Sequence, residues 1–306
     1  MQSPVMVFGS INMDLVVYSD AKPNDGETII GNSFETFLGG KGSNQAVAAS
    51  KLGANVSFVG KVGSDLYGQK LKEQLNLEKV NTQLLGEIEG ESGVAVINVI
   101  ESSSENQIIV IPGANAHVSA DQIDDKTLAS VEILISQLEV PPNQIELLFS
   151  RVKQGHCYRI LNVAPAIEFS KSLFNETDLL VVNEIELEAL AKKKLKDTNI
   201  DSIRASVDLL SLAKHQAIVV TLGAEGVYVR DQNKDEYIEG HKVNSVDTTG
   251  SGDCFVGAMA SYLIEDKNLF DASVFANKAA SISVTRKGAS SSMPTKDEVV
   301  NLGQIT

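Results

Sequence analysis

The sequence predicts an α/β fold: a doubly wound, mainly parallel sheet flanked by helices, with a small β-sheet lid. Three observations predict it. Short apolar runs that end in glycine or a polar residue alternate with segments of helical spacing from residue 120 onward. Two β-rich stretches, about 13–38 and 93–112, lie outside that alternation and read as one lid. Polar residues gather where strands end, the edge at which open α/β sheets bind ligands. No repeat, low-complexity tract or linker divides the 306 residues, so a single domain over 1–306 is expected.

Taken in order, Val5 to Gly9 is a buried strand, followed by Ser10-Ile-Asn-Met-Asp14. Leu15 to Phe37 is a β-excursion with a turn at Pro23-Asn-Asp-Gly26. Leu38-Gly-Gly-Lys-Gly-Ser-Asn44 opens a helix over Gln45 to Leu52. Val56 to Gly60 is a strand, and Gly63 to Gly68 leads into a helix ending near Leu77. Gly93 to Ile100 and Gln107 to Ile111 alternate about a polar tip, Glu101 to Asn106, as a hairpin does. Then come a strand over Val131 to Leu138, a proline-started helix over Pro141 to Val152, and strands over Tyr158 to Val163 and Leu179 to Val182. Helices are expected over Glu184 to Ala191 and Ala205 to Lys214, and a strand over Ala217 to Leu222. A hairpin, Val227 to Arg230 with Glu236 to Ile238, precedes two long helices, Asp253 to Ile264 and Asp271 to Thr285.

Bulk properties exclude several function classes. A net charge of −14 disfavours a nucleic-acid surface, and any anionic ligand must be held by local dipoles and a few cations. No apolar run reaches the roughly 18 residues of a membrane span. The N-terminus carries no basic region ahead of an apolar stretch, so no signal peptide is expected. Two cysteines, Cys157 and Cys254, make no disulfide framework and fit a reducing cytoplasm.

The chemistry centres on Asn244 to Phe255. Gly250 and Gly252 permit close backbone approach, and the helix after them points free N–H groups at the turn, a ready anion site. Asp253 sits beside that anion. It is either a general base for an alcohol attacking a phosphoryl group or a helix-start carboxylate complementing the dipole. Asn12 and Asp14, two apart in an extended segment, project to one side and either clasp vicinal hydroxyls or close an Asx turn. The glycines of the 38–44 stretch, with Lys41 and Asn44 as donors, either approach a ligand or form a flexible turn; the Walker A spacing is absent. Asn183-x-x-Glu186 either holds hydrated Mg²⁺ or is a capping box. Asn12, Asp14, Glu139, Asn183, Gly223 and Asp253 all fall at or just after expected strand ends, which converge on one cleft in a parallel sheet.

Gly39-Gly-Lys-Gly-Ser-Asn44 with Gln45-Ala, Asp247-Thr-Thr-Gly-Ser-Gly-Asp253 and Asn183-x-x-Glu186 together resemble the signatures of the ribokinase-type (phosphofructokinase B) carbohydrate kinases. Gly9 to Asp14, Gln137-Leu-Glu139, Asn162 to Ala166, Thr221 to Gly226 and Thr285 to Ala289 extend the likeness over nearly the whole chain and point to its ribose-phosphorylating members. The resemblance implies a ribokinase-like fold and a kinase that makes D-ribose 5-phosphate from D-ribose and MgATP.

Carried onto matching positions, the resemblance implies that Asn12, Met13, Asp14, Gly40, Lys41, Gly42, Ser43, Asn44 and Glu139 bind the sugar. Asp253 is then the base for the 5-hydroxyl, and the N–H groups of Gly250, Ser251, Gly252 and Asp253 form the anion hole. Asn183, Thr221, Leu222, Gly223, Ala224, Glu225 and Gly226 line the nucleotide site together with Gly252 and Asp253, and Asn277 lies near adenine. Glu186 meets magnesium through water. Asp247, Thr249, Ser283, Arg286, Gly288 and Ser292 surround a monovalent cation, usually potassium, several of them through backbone carbonyls. The lid implied by the family covers the sugar and forms a homodimer interface. Two positions depart from the family pattern: Ser251 where alanine is commoner, and Cys254 where threonine is commoner. A kinase for 2-deoxyribose is the nearest alternative; fructose- and nucleoside-type kinases, and a sugar-binding protein without catalysis, rank lower.

Overall fold

The computed structural model describes residues 4–100, 102, 105–153, 155–266 and 268–302. At its centre is β1 (Val5–Phe8), four apolar residues buried on both faces of a sheet. Val5 and Val7 pack into one core and Met6 and Phe8 into the other, as strand alternation requires.

The chain continues through β2 (Asn12–Ser19), β3 (Ser33–Gly39), α1 (Lys41–Lys51), β4 (Val56–Gly63), α2 (Leu66–Leu77), β5 (Asn81–Ile88), β6 (Gly93–Ile100) and β7 (Glu105–Ile111). It goes on through α3 (Asp125–Leu128), β8 (Ile133–Gln137), α4 (Pro142–Ser150), β9 (Tyr158–Asn162), α5 (Lys171–Glu176), β10 (Leu179–Asn183), α6 (Glu184–Ala191) and α7 (Ile200–Asp208). The last elements are β11 (Ala217–Thr221), β12 (Gly226–Arg230), β13 (Asp235–Glu239), α8 (Ser251–Leu263), α9 (Leu269–Ser283) and α10 (Lys296–Val300).

Nine strands form the main sheet in the order β13-β12-β11-β10-β9-β8-β1-β4-β5. Pairings from β11 to β5 are parallel, and β12 and β13 add an antiparallel edge. The order runs one way from β1 to β4 and the other way to β8, so the switch point opens a crevice at the carboxyl end of β1. Helices α1, α2, α8 and α9 supply buried apolar residues to one face, and α3, α4, α5 and α7 to the other. A separate sheet, β3-β2-β6-β7, leaves the rim of the crevice. Its Val16, Ala95 and Ile97 form a small core of their own.

Several boundaries differ from the sequence expectation. α1 starts at Lys41, not Gln45. Glycine is a poor helix former, which hides this turn, but tertiary contact overrides propensity: a Cβ on Gly42 would lie 2.7 Å from Ser10 N. α7 covers 200–208 rather than 205–214 because Asn199 caps it, accepting from Ser202 N (2.9 Å). The strand expected at 56–60 runs to Gly63 because β5, unforeseen, pairs with it. Helices α3, α5 and α10 were also unforeseen; each is six residues or fewer, too short for periodicity to show. Of the expected 101–106 hairpin tip, residues 101, 103 and 104 lie outside the described residues.

Candidate active site

Four segments meet at the crevice. The first is the β1–β2 connection with the start of β2, where Asn12 and Asp14 lie on one face of the strand and are 3% and 8% exposed. The strand places them; neither closes an Asx turn. Asn12 pairs across the sheet with Gly39 and Gly93. A residue to which the sequence assigned no role, Asn115, fixes its orientation. Asn115 Oδ1 accepts from Ile11 N (2.9 Å), and Asn115 Nδ2 donates to Asn12 Oδ1 (2.7 Å). That bond fixes which way the Asn12 side-chain amide turns, and its N–H groups are donors it can offer a ligand. The signal was faint: one asparagine after the Pro112-Gly-Ala turn that ends the second β-stretch.

The second segment is the glycine turn before α1. Gly40 has φ +91°, and a Cβ there would sit 2.9 Å from Asn12 N. Ser43 Oγ donates to the carbonyls of Gly39 and Gly40 and braces the turn. Asn44 Nδ2 donates to Asp253 Oδ2 (3.0 Å), while Asn44 Oδ1 is buried without a partner. Next, just past β8, Glu139 Oε2 accepts from Ser10 Oγ (2.6 Å) and Lys41 N (3.0 Å), tying the turn to β1.

The fourth is the start of α8. Gly250 caps it at φ +73°, and a Cβ there would crowd Ala289 Cβ at 2.9 Å. Gly252 differs: a Cβ there meets nothing within 4 Å. Packing does not require glycine at 252, and the space beside its N–H is open. Ser251 N already bonds Thr248 O (3.2 Å). Asp253 lies in the first turn of α8, as the helix expected from Asp253 onward requires, but it does not directly follow a strand, because β13 leads into a long loop before the helix. It still reaches the crevice, since α8 packs along α1.

The electrostatics bear on the chemistry. Burial, with Lys41, Gln45 and Asn44 opposing it, raises Asp253 to about 6. Burial, then Glu139 and Asp253, raises Asp14 to about 7. Burial lowers the Lys41 ammonium, but Asp253, Glu139 and Glu186 outweigh it and hold its pKa above the usual lysine value. Lys41 is thus a fixed cation among three carboxylates. Burial pushes the thiol of Cys254, the neighbour of Asp253, up to about 12, which disfavours the thiolate.

Asn183 and Glu186 realise the capping box: Asn183 Oδ1 accepts from Glu186 N, and Glu186 Oε2 accepts from Asn183 N, both at 2.8 Å. Burial first raises Glu186 to about 7. Thr221 pairs with Asn183 across β10 and β11. Leu222, Gly223, Ala224, Glu225 and Gly226 turn back into β12, with Gly223 at φ +53° and Gly226 at φ +119°. Asn277 Nδ2 donates to Glu239 O (2.8 Å) beside that turn's partner strand. Farther round, Asp247 accepts from Thr249 N (2.9 Å) and Gly288 N (2.8 Å), drawing those loops together. The hydroxyls of Ser283 and Ser292 bond carbonyls three residues back, and Arg286 bonds Glu298.

A family model described as pfkB family carbohydrate kinase matches residues 2–296. The chain belongs to the pfkB family of carbohydrate kinases. The kinase is 37% identical to the ribokinase of Haemophilus influenzae over 303 residues, 98% of each chain. It is 35% identical to the deoxyribokinase of Salmonella typhi over 301 residues, 96% of each chain. The structure of Arabidopsis thaliana ribokinase complexed with ribose and ATP superposes with a TM-score of 0.89 at 30% identity, covering all of both chains. The kinase is a phosphotransferase, and its fold is that of the ribokinase structures.

Proposed function

We propose that this kinase transfers the γ-phosphoryl group of ATP to the 5-hydroxyl of D-ribose. The observation that carries the reading is Asp253 in the first turn of α8. It is bonded to Asn44 of the glycine turn and is electrostatically coupled to Asp14 and Glu139. A base, an anion-receiving helix start and three hydroxyl-reading side chains then share one crevice.

Asn12 donates to sugar hydroxyls, Asp14 and Glu139 accept from them, and the buried Asn44 Oδ1 takes a further hydroxyl hydrogen. Gly40, Lys41, Gly42 and Ser43 contribute backbone, and Met13 packs beneath. The 5-hydroxyl oxygen forms a bond to the γ-phosphorus as the bond to ADP breaks, and its proton passes to Asp253. The N–H groups of Gly252 and Asp253 receive the transferred group, with those of Gly250 and Ser251 shaping the turn. Asn183, the 221–226 turn and Asn277 line the nucleotide site.

Glu186 retains one carboxylate oxygen outside its capping box, and no cluster of three metal-ligating side chains occurs among the described residues. That donor set suits an ion carried mainly by nucleotide phosphates and water, so Glu186 would hold Mg²⁺ through water. Bound magnesium neutralises phosphate charge. The loops joined by Asp247 suit a potassium ion. Backbone carbonyls at Thr249, Ser283, Arg286, Gly288 and Ser292 are the fitting ligands, and the Ser283 and Ser292 hydroxyls, which only donate in their protein bonds, keep lone pairs for a cation. Its charge would order the 247–253 turn.

The four-stranded sheet is the lid over the sugar, part of one domain with the main sheet. On its edge strand β7, Ile108, Ile109, Val110 and Ile111 are all exposed, with Phe34 on β3. Such an apolar edge suits a homodimer interface. The low cysteine count suits a cytoplasmic enzyme.

The identity to a deoxyribokinase favours a second reading, 2-deoxyribose as acceptor. Coupled measurement of ADP formation with ribose and 2-deoxyribose tests both. A kcat/KM preference for ribose of tenfold or more is expected; a preference for deoxyribose reverses the choice, and sugar binding without turnover rejects catalysis.

A further inference from the structure

The base has a bonding partner outside the sugar and nucleotide sets. Asp253 Oδ1 accepts from Gln45 Nε2 (2.9 Å). The same nitrogen donates to Asn162 Oδ1 (3.0 Å), whose Nδ2 donates to Val181 O (3.2 Å). Gln45 Oε1 accepts from Gln137 Nε2 (2.7 Å). Gln45 and Gln137 are fully buried, and Asn162 is 8% exposed.

Chemistry fixes the direction of every bond in this chain. An ionised carboxylate only accepts, so Gln45 must turn its NH₂ toward Asp253. Its carbonyl then faces Gln137, which must present NH₂ in return. Gln137 and Asn162 are cross-strand partners at the ends of β8 and β9. They therefore anchor Gln45 to the rigid sheet rather than to a loop. Gln137 in turn is wedged against the chain at position 9, where a Cβ would lie 2.2 Å from its Oε1.

We propose that Gln45, clamped by Gln137 and Asn162, is a positioning residue that locks the Asp253 carboxylate in one rotation and in its acceptor form. The inference rests on the reading of Asp253 as the base. Two amides serve the base, and they differ. Asn44 lies in the sugar-binding turn, whereas Gln45 is backed by sheet. Orientation of the base is therefore independent of whether sugar is bound. Charged and titratable groups also face Asp253: Lys41 at the start of α1, Glu139 after β8, Asp14 on β2, Glu186 on α6, and the neighbouring Cys254 thiol. Of these only Lys41 favours ionisation, so removing the Gln45 donor leaves a shortfall that burial exploits.

The test compares the full-length kinase with Gln45→Met, Gln137→Met and Asp253→Asn, measuring kcat, ribose KM, and the pH profile of kcat/KM. Gln137→Met leaves Gln45 and Asp253 intact but removes the donor to Gln45 Oε1, so the Gln45 amide is no longer held in one orientation. Both glutamine variants are expected to lose roughly 10–100-fold in kcat with ribose KM changed less than about threefold. The acid limb of kcat/KM moves up by about one pH unit. If Gln45→Met does not fold, Gln137→Met, which leaves every group bonded to Asp253 in place, decides. An unmoved acid limb with near-normal kcat, in a background where Asp253→Asn is inactive, overturns the positioning role. Near-normal kcat in Asp253→Asn instead removes the base reading, and this inference with it.

Discussion

Gly39 lies directly over Asp14: a Cβ built on Gly39 would stand 2.1 Å from the Asp14 carboxylate. The two residues belong to adjacent antiparallel strands, β3 and β2, and the missing side chain makes the space that the carboxylate fills. Asp14 cannot swing away to accommodate a methyl group without leaving the sugar-reading face. Gly39→Ala should therefore raise ribose KM by about tenfold or more while leaving the ATP KM near normal. Equal changes in both constants would show that the lid, rather than Asp14, had been disturbed. Initial-rate kinetics in each substrate separates the two.

Asp253→Asn keeps the shape of the side chain and removes the base. A general base contributes roughly 10²–10⁴-fold, so kcat should fall by at least the lower figure while ribose affinity, read by calorimetry, is largely retained. An asparagine enzyme turning over at the parental rate would reject the assignment.

Gly252→Ala isolates the anion-receiving turn. The new methyl group meets no protein atom within 4 Å, and alanine is the better helix former, so Tm should hold or rise. The methyl group occupies the approach to the Gly252 and Asp253 N–H groups, and kcat should fall at least about tenfold. Unchanged kcat in this variant would move phosphoryl transfer elsewhere.

The crowded carboxylates set the pH dependence of stability. Asp14 and Glu186 are raised to about 7 and Asp253 to about 6, from ordinary carboxylate values of 3.8 to 4.5. A raised folded pKa means that the folded state holds the proton more tightly. The stability this contributes is fully present below about pH 4 and is lost as pH rises through 6 to 7. Asp14→Asn removes one such group, so at pH 8 it should stabilise the ligand-free protein by roughly 1–2 kcal/mol, with little effect at pH 4. Thermal melts at both values check the sign; destabilisation at pH 8 would contradict it.

The thiol of Cys254, buried and pushed to about 12, should resist alkylation in the native state. Mass spectrometry after treatment with iodoacetamide at pH 8 is expected to find it unmodified and activity intact. Rapid modification with loss of activity would show that α8 opens at its start.

The buried parallel strands were legible in the sequence because each is a short apolar run bounded by turn residues, as at Val5–Phe8 and Leu179–Asn183, whereas the edge strand β5, polar and half-exposed, gave no such run. The glycine turns were legible because close backbone approach admits few residue types, as at Gly40 and Gly250, and the place of Asp253 because it heads an apolar helical run. Local rules could not show that the 41–44 stretch is helical, since the contact that makes it so comes from Ser10, distant in sequence. They could not choose between partners for an amide either. Nothing in the local sequence of Asn115, Gln45, Gln137 or Asn162 names their partners, and only their three-dimensional neighbours show that Asn115 bonds Asn12 and that Gln45, backed by Gln137 and Asn162, bonds Asp253. Residue type and spacing determined which groups the chain owns and which elements carry them. The tertiary structure decided which donor faces which acceptor, because hydrogen bonds act over about 3 Å and sequence separation carries no information at that range.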